Sequence, residues 1–194
     1  MANEKQLALL KDGVEEWNQW RQWCQSHFLS VSIDLAEANL AGASLIGARL
    51  RGAGLRNAIL TSANCMGADL RSVELQNADL TGANLTDADL SSAHLKNADL
   101  RNAGLYGTNC RDADLSGALF TGAYLRGVDL RNADLRYAVF TDASGAVSVH
   151  LLGICYVDEA MMQRSEGGVS EAFLRSCGAP QSVLDLVAPQ FRLS

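Results

Sequence analysis

Proline is almost missing from this chain, at two residues in 194, and aromatic residues make up only 6% of it. No run of 18 apolar residues occurs, which excludes a conventional membrane-spanning helix. The opening Met-Ala-Asn-Glu-Lys lacks the apolar core of a secretory leader, so a cytoplasmic protein is expected. An excess of basic charge is lacking too. The formal net charge is −6, which disfavours non-specific binding to nucleic acid. The five cysteines, Cys24, Cys65, Cys110, Cys155 and Cys177, are odd in number and lack compact framework spacing. Reduced thiols are therefore expected.

Chemistry-bearing motifs are missing as well. There is no phosphate loop, nucleophile elbow or zinc motif, and His27, His94 and His150 have no partner at ligand spacing. Asp69, Asp79, Asp89 and Asp99 occur singly along the chain, unlike the Gly- and Asp-rich nonapeptide of a calcium-binding repeat. No catalytic residue, cofactor site or metal site is expected, and the chain is read as not an enzyme.

What is abundant is repetition. From Leu35 to Phe140 every fifth residue is apolar: of 22 positions, 18 are Leu, and the others are Phe120, Phe140, Cys65 and Cys110. Two residues before each lies a smaller series in which 18 of 22 are Ala, with Ile33, Val73, Thr108 and Val128 as exceptions. Residues 81–100, TGANLTDADLSSAHLKNADL, show the unit, and no insertion breaks the register from 33 to 142. A period of five suits neither a helix nor a flat strand. It suits a chain that turns a corner every five residues and closes a coil every 20. The corner positions agree: nine Gly and five Asn suit a positive φ in type II turns, while three Asp and three Ser suit type I. Glu37 and Tyr137 are the exceptions and mark expected irregularity at the two ends.

These residues resemble the pentapeptide-repeat family, whose unit is A-(D/N)-L-x-x. The resemblance implies an all-β fold, a right-handed quadrilateral parallel β-helix of about 5.5 coils, with Leu and Ala inward. The expected organisation is an N-terminal helical cap (1–32), the repeat β-helix (33–142) and a C-terminal cap with short helices (143–194). Leu7, Leu10, Val14 and Trp17 are spaced for an amphipathic helix over 4–28, with Trp20 and Trp23 adding bulk. In the C-terminal part, 147–153 reads as a weak strand. Ser170 reads as the cap of a helix over 171–177 that stops at Gly178, and Pro180 as the start of a last helix through Val187. The flanks, 9-LLKDGVEEWNQWR-21 and 167-GGVSEAFLRSCGAP-180, are similar to those of bacterial, notably cyanobacterial, pentapeptide-repeat proteins, some of which continue into a TIR domain.

Sorting the units by coil gives the expected core ladder Leu35, Leu55, Leu75, Leu95, Leu115 and Leu135, with Phe120 stacked on Phe140. Outside, Arg51, Arg71, Arg111 and Arg131 align beside Asp69, Asp89 and Asp129, and Asn57, Asn77 and Asn97 form an amide column. Thr61, Thr81, Thr121 and Thr141 form a column interrupted by Arg101. Ile46, Met66, Tyr106 and Tyr124 form an exposed apolar patch, the candidate surface for a partner or a dimer. The expected function is a non-enzymatic scaffold presenting rod surfaces to a protein partner, as a monomer or weak dimer, without direct nucleic-acid contact. The alternative is a DNA mimic that binds a type II topoisomerase or another nucleic-acid-binding protein; the resemblance attaches the topoisomerase role to some family members. Against it, the repeat region carries 13 acids and 10 bases, a net of only −3.

Overall fold

A corner every five residues leaves room for one paired residue per side, and that limit shapes the whole backbone. The computed structural model describes residues 2–141, 165, 171–176, 179 and 181–185. Within the repeat, residue n forms an isolated parallel bridge to residue n+20, as in Asp34 to Gly54, Asn39 to Ile59, Ser44 to Asn64 and Arg49 to Asp69. These four columns of bridges are four sides, and each coil rises directly on the one before.

The all-β expectation is corrected here. Among the described residues there is no β-strand, only single bridges, and the continuous regular elements are all α-helical. The right-handed quadrilateral β-helix, read as a solenoid of strands and sheets, is therefore not what the chain forms. A strand needs consecutive paired residues, and the next corner arrives first.

Each unit closes its corner with a short bond. The Ala38 amide donates to the Leu35 carbonyl at 3.1 Å, and this pattern recurs through Ala138 to Leu135 at 3.0 Å. The residue before each Ala has positive φ whatever its type. Glycine gives Gly42 +65°, but Ser62 is at +54°, Asp87 at +55° and Asp112 at +57°. The expected division into type II and type I corners is thus corrected to one geometry with a left-handed third residue. Glu37 and Tyr137, expected to mark irregular ends, take the same +63°. Coil stacking imposes this angle, and a non-glycine residue there sits in a disfavoured region.

The Leu and Ala series fill the interior. Leu35, Leu55, Leu75, Leu95, Leu115 and Leu135 are buried, as are the small residues two positions before each. Phe120 and Phe140 stack nearly parallel, with ring centroids 4.7 Å apart. Thr108, in the Ala series, is fully buried and donates its Oγ1 hydrogen to the Leu85 carbonyl at 2.8 Å.

Before the repeat lie two helices rather than the single one expected. Helix α1 (Glu4–Asp12) is capped by the Asn3 side chain, which accepts from the Lys5 and Gln6 amides, and α2 (Val14–Ser26) follows. Gly13 between them is extended, with φ 168°, and breaks the helical path. Leu10 and Trp17 enter the core, whereas Trp23 is half exposed. At the other end, α3 (Glu171–Ser176) and α4 (Gln181–Leu184) contribute Leu174, Val183 and Leu184 to the core. Ser165 Oγ accepts the Phe140 amide at 3.0 Å. The strand at 147–153, the caps at Ser170 and Gly178, the start at Pro180, and His150, Cys155 and Cys177 lie outside the described residues.

Leu85 is fully buried while Thr86 lies partly exposed on the outside. Leu85→Lys should lose more than about 4 kcal/mol, since it places an unpaired charge in the interior, and Thr86→Lys less than about 0.5 kcal/mol. Circular-dichroism melts measure both, and matching curves would contradict this register. Glu37→Gly should instead stabilise by about 1 kcal/mol, the relief of left-handed strain less the entropy of a freer unfolded chain.

Candidate functional site

The outward residues flanking each inward Leu determine what the four sides can bind. The residue just before the Leu is Asp or Asn in twelve units, and in all twelve its Oδ1 accepts the amide two residues ahead. That amide is the one backbone donor of the unit that neither the corner bond nor a neighbouring coil uses. Asp69, Asp79, Asp89 and Asp99 are among the twelve, so their first task is to close the turn.

Several of these carboxylates hold an arginine as well. Arg71 Nε and Nη2 donate to Asp69 at 2.7 and 2.6 Å, and Arg101, Arg131 and Arg136 grip Asp99, Asp129 and Asp134 in the same two-pronged way. Arg71 also reaches Asp89 in the next coil at 3.8 Å. The hydrogen bond from each arginine holds Asp69, Asp99, Asp129 and Asp134 below the usual carboxylate range. The side through Leu50 is rich in charge, with eight charged residues, five Arg and three Asp, among the ten outward positions that flank its leucines and Cys110.

The other columns are quieter. Asn97 donates to Asn77 at 3.4 Å, while no bond joins Asn77 to Asn57. Tighter pairs, which the sequence reading missed, join Asn84 to Asn64 at 3.2 Å, Asn109 to Asp89 at 3.0 Å and Asn132 to Asp112 at 2.9 Å. Their signal is an Asn or Asp repeated at n+20. His94 is exposed, and the His27 ring lies tilted by 30° against Trp23 with centroids 4.5 Å apart. Among the described residues no group of three or more His, Cys, Asp or Glu could hold a metal. Cys24, Cys65 and Cys110 are buried and unpaired, and burial pushes the Cys65 and Cys110 thiols up to about 12.

The side through Leu45 differs from the rest. Ile46, Met66 and Tyr106 occupy the position after the inward residue in the first, second and fourth coils. Tyr124 stands before Leu125, and its backbone bridges to Gly104. All four are exposed: Ile46 at 44%, Met66 at 40%, Tyr106 at 53% and Tyr124 at 60%. Of the ten outward residues flanking this column, Arg126 is the one that carries charge. Asn64 and Asn84 complete the strip as a bonded amide pair. The arrangement can bind apolar surface, and it has no nucleophile–base pair with which to do chemistry.

The scaffold and the DNA mimic both presupposed the faces of a β-solenoid. Both are overturned, because the described residues contain no strand from which such a face could be built. The outer surface is rows of turns. No described helix is long and apolar enough to cross a membrane.

A family model described as pentapeptide repeats matches residues 33–64, 52–87, 83–122 and 113–144, more than half the chain. No curated protein matches the sequence. Among solved structures, the chain is similar to HetL, a pentapeptide repeat protein involved in heterocyst differentiation regulation from the cyanobacterium Nostoc sp. strain PCC 7120. That match has 32% identity over 59% of this chain and 60% of that one, with a TM-score of 0.34. The chain thus spans less than two thirds of HetL. A pentapeptide repeat protein of the Arabidopsis thaliana thylakoid lumen is 29% identical over 53% of this chain and 68% of its own, with a TM-score of 0.30. QnrB1, a plasmid-mediated fluoroquinolone resistance protein, is 22% identical in one trypsin-treated variant, over 68% of this chain and 82% of that one, with a TM-score of 0.37.

The arginine-held carboxylates make stability depend on pH. Their folded pKa values lie below the unfolded value of about 3.9. Their contribution is therefore complete above that value and disappears as pH falls through the folded ones. The melting temperature should hold steady from pH 7 to 5 and drop below about pH 4, with a smaller drop in Asp99→Asn. A flat profile down to pH 2 would contradict the pairing.

Proposed function

This chain belongs to the pentapeptide repeat family, and we propose that within it the chain is a non-enzymatic binding protein that docks one protein partner on the uncharged side through Leu45. The observation that carries this reading is the grouping of Ile46, Met66, Tyr106 and Tyr124, all exposed, on a side with one charged outward residue in ten. Protein interfaces are depleted of charge at their centres and enriched in Tyr and Met, and Tyr is a frequent energetic anchor. The coil also fixes the backbone beneath these side chains, so docking orders little beyond their own rotamers.

Several expectations travel with this proposal. The chain divides into a helical cap at 1–32, the repeat at 33–142 and a C-terminal cap at 143–194. It works in the cytoplasm, a setting that suits the unpaired, buried Cys24, Cys65 and Cys110. It is a monomer or weak dimer without direct nucleic-acid contact, in keeping with its net charge of −6. A cyanobacterial type, and flanks like those of relatives that carry a TIR domain, rest on the segments at 9–21 and 167–180 alone.

A photo-crosslinking amino acid placed at Met66 or Tyr106 should trap the same partner in cells of the source organism, and one at Arg111, on the charged side, should not. Tyr106→Glu should abolish the Met66 product while leaving the melting temperature within about 2 °C of the parent. Equal labelling from Arg111 would overturn the assignment.

A further inference from the structure

Every coil above the first is hydrogen-bonded to the coil beneath it, and the first must find substitutes. On two of its sides the cap provides them. Beside Leu35, the Asn3 amide donates to the Asp34 carbonyl at 2.7 Å, and the Asp34 amide donates to Gln6 Oε1 at 2.9 Å. Beside Leu50, the Arg49 amide donates to Asn18 Oδ1 at 2.8 Å. The Arg49 carbonyl accepts from Trp17 Nε1 at 3.0 Å, and the Arg51 carbonyl accepts from Arg21 at 3.3 Å. The side-chain amides of Gln6 and Asn18 each act as a stand-in peptide group of a missing coil.

The other two sides have no such cover. One coil higher, the Ile59 and Asn64 amides donate to Ala38 and Ala43 at 2.9 Å, and their carbonyls accept from Leu40 and Leu45 at 2.7 Å. The corresponding groups of the first coil, the N–H and C=O of Asn39 and of Ser44, bond to no described residue, nor do the carbonyls of Ala41 and Ile46. A cavity of about 680 Å³ lies there, lined by Leu10, Gly13 and Val14 on the helical side and by Asn39, Ser44 and Ile46 on the coil. Alone among the inward small residues of the repeat, Ala43 is only half-buried, because nothing sits beneath it.

We propose that this open edge is a docking site for an uncharged peptide segment of another protein, which turns one corner as a repeat unit does and adds to the first coil by backbone hydrogen bonds. An unpaired edge of backbone donors and acceptors is a template for an added segment of chain. Lys11 and Asp12 line the cavity together and offset each other, so neither sign of charge is selected. Ala43 sets the inward residue opposite it to be small, and Leu10, Val14 and Ile46 offer apolar walls. The cavity has the volume of an ordinary ligand site. This site adjoins the apolar strip at Ile46 but differs from it in recognising backbone as well as side chains.

The probe is acetyl-Thr-Gly-Ala-Asn-Leu-Thr-amide, a copy of residues 81–86. In the stack those residues lie beneath 101–106, with the Gly82 and Leu85 amides donating to the Arg101 and Gly104 carbonyls. The same register under residues 41–46 would give bonds to the Ala41 and Ser44 carbonyls and from the Ser44 amide. Added to the isotope-labelled full chain, the peptide should shift the Ser44 amide resonance, with half-saturation below about 1 mM. At saturation it should slow hydrogen exchange at Ser44 by about tenfold or more. A peptide methylated on its Gly and Leu nitrogens should do neither. An unshifted resonance, or equal effects from the methylated peptide, would overturn the proposal. Protection of Ser44 that grows with protein concentration in the absence of peptide would assign the edge to a second copy of the chain, and would overturn it equally.

Discussion

Five backbone amides per unit must each find an acceptor while the chain turns a corner. That requirement organises the structure. Amides along the straight part and at the corner bond to neighbouring coils, and the Ala amide closes the turn. The amide just past the inward Leu has no backbone partner, and the Asp or Asn two residues earlier accepts it. The preference for Asp or Asn before Leu is thus a rule of hydrogen-bond satisfaction, since a backbone donor without a partner is costly wherever water is excluded. Where that position holds Ile59, His94 or Tyr124, the amide is left to solvent at the surface. Those are the places where a side chain is free to serve something other than the fold.

The same accounting explains the caps. A stack of coils held by bridges has two raw ends, and burying them without partners would forfeit part of the stability that burial brings. Gln6 and Asn18 satisfy two sides of the first coil because a primary amide carries both a donor and an acceptor, as a peptide group does. At the far end Ser165 does half of this with a hydroxyl for the Phe140 amide. Inside, Thr108 follows the same rule by spending its hydroxyl on the Leu85 carbonyl, so a polar atom is carried in a dry interior without an unpaired group.

The period, the register and the inward positions were legible in the sequence because each is a composition signal repeated 22 times. The corner geometry was read only in part. Ser62 and Asp87 suggest type I turns when taken singly, but stacking holds them at the same left-handed angle as their glycine neighbours above and below. Propensity gave way to the neighbouring coils there. The absence of strands was also hidden, because a parallel pairing at n+20 is compatible with a run of paired residues until the corner is drawn. The break at Gly13 was hidden as well, because the helical spacing of Leu7, Leu10, Val14 and Trp17 runs across it. At the candidate site, the four apolar residues could be picked out by spacing. The uncovered edge beside Gly13 could not, since it depends on which cap side chains reach which coil groups.

Rigidity is what makes the difference between the sides meaningful. In a flexible chain, moving one tyrosine among charged neighbours would change little. Here each outward residue is tied by backbone bonds to residues 20 before and 20 after it, so a column keeps its composition along its length. The side through Leu50 uses that order to set Arg beside Asp, and arginines there hold Asp69, Asp89 and Asp129. The side through Leu45 holds no such pairs. A partner approaching it need not strip water from paired ions, a cost that exposed salt bridges seldom return. Apolar contact is therefore least opposed on that one side, and the uncovered edge of its first coil lies at the same end as Ile46.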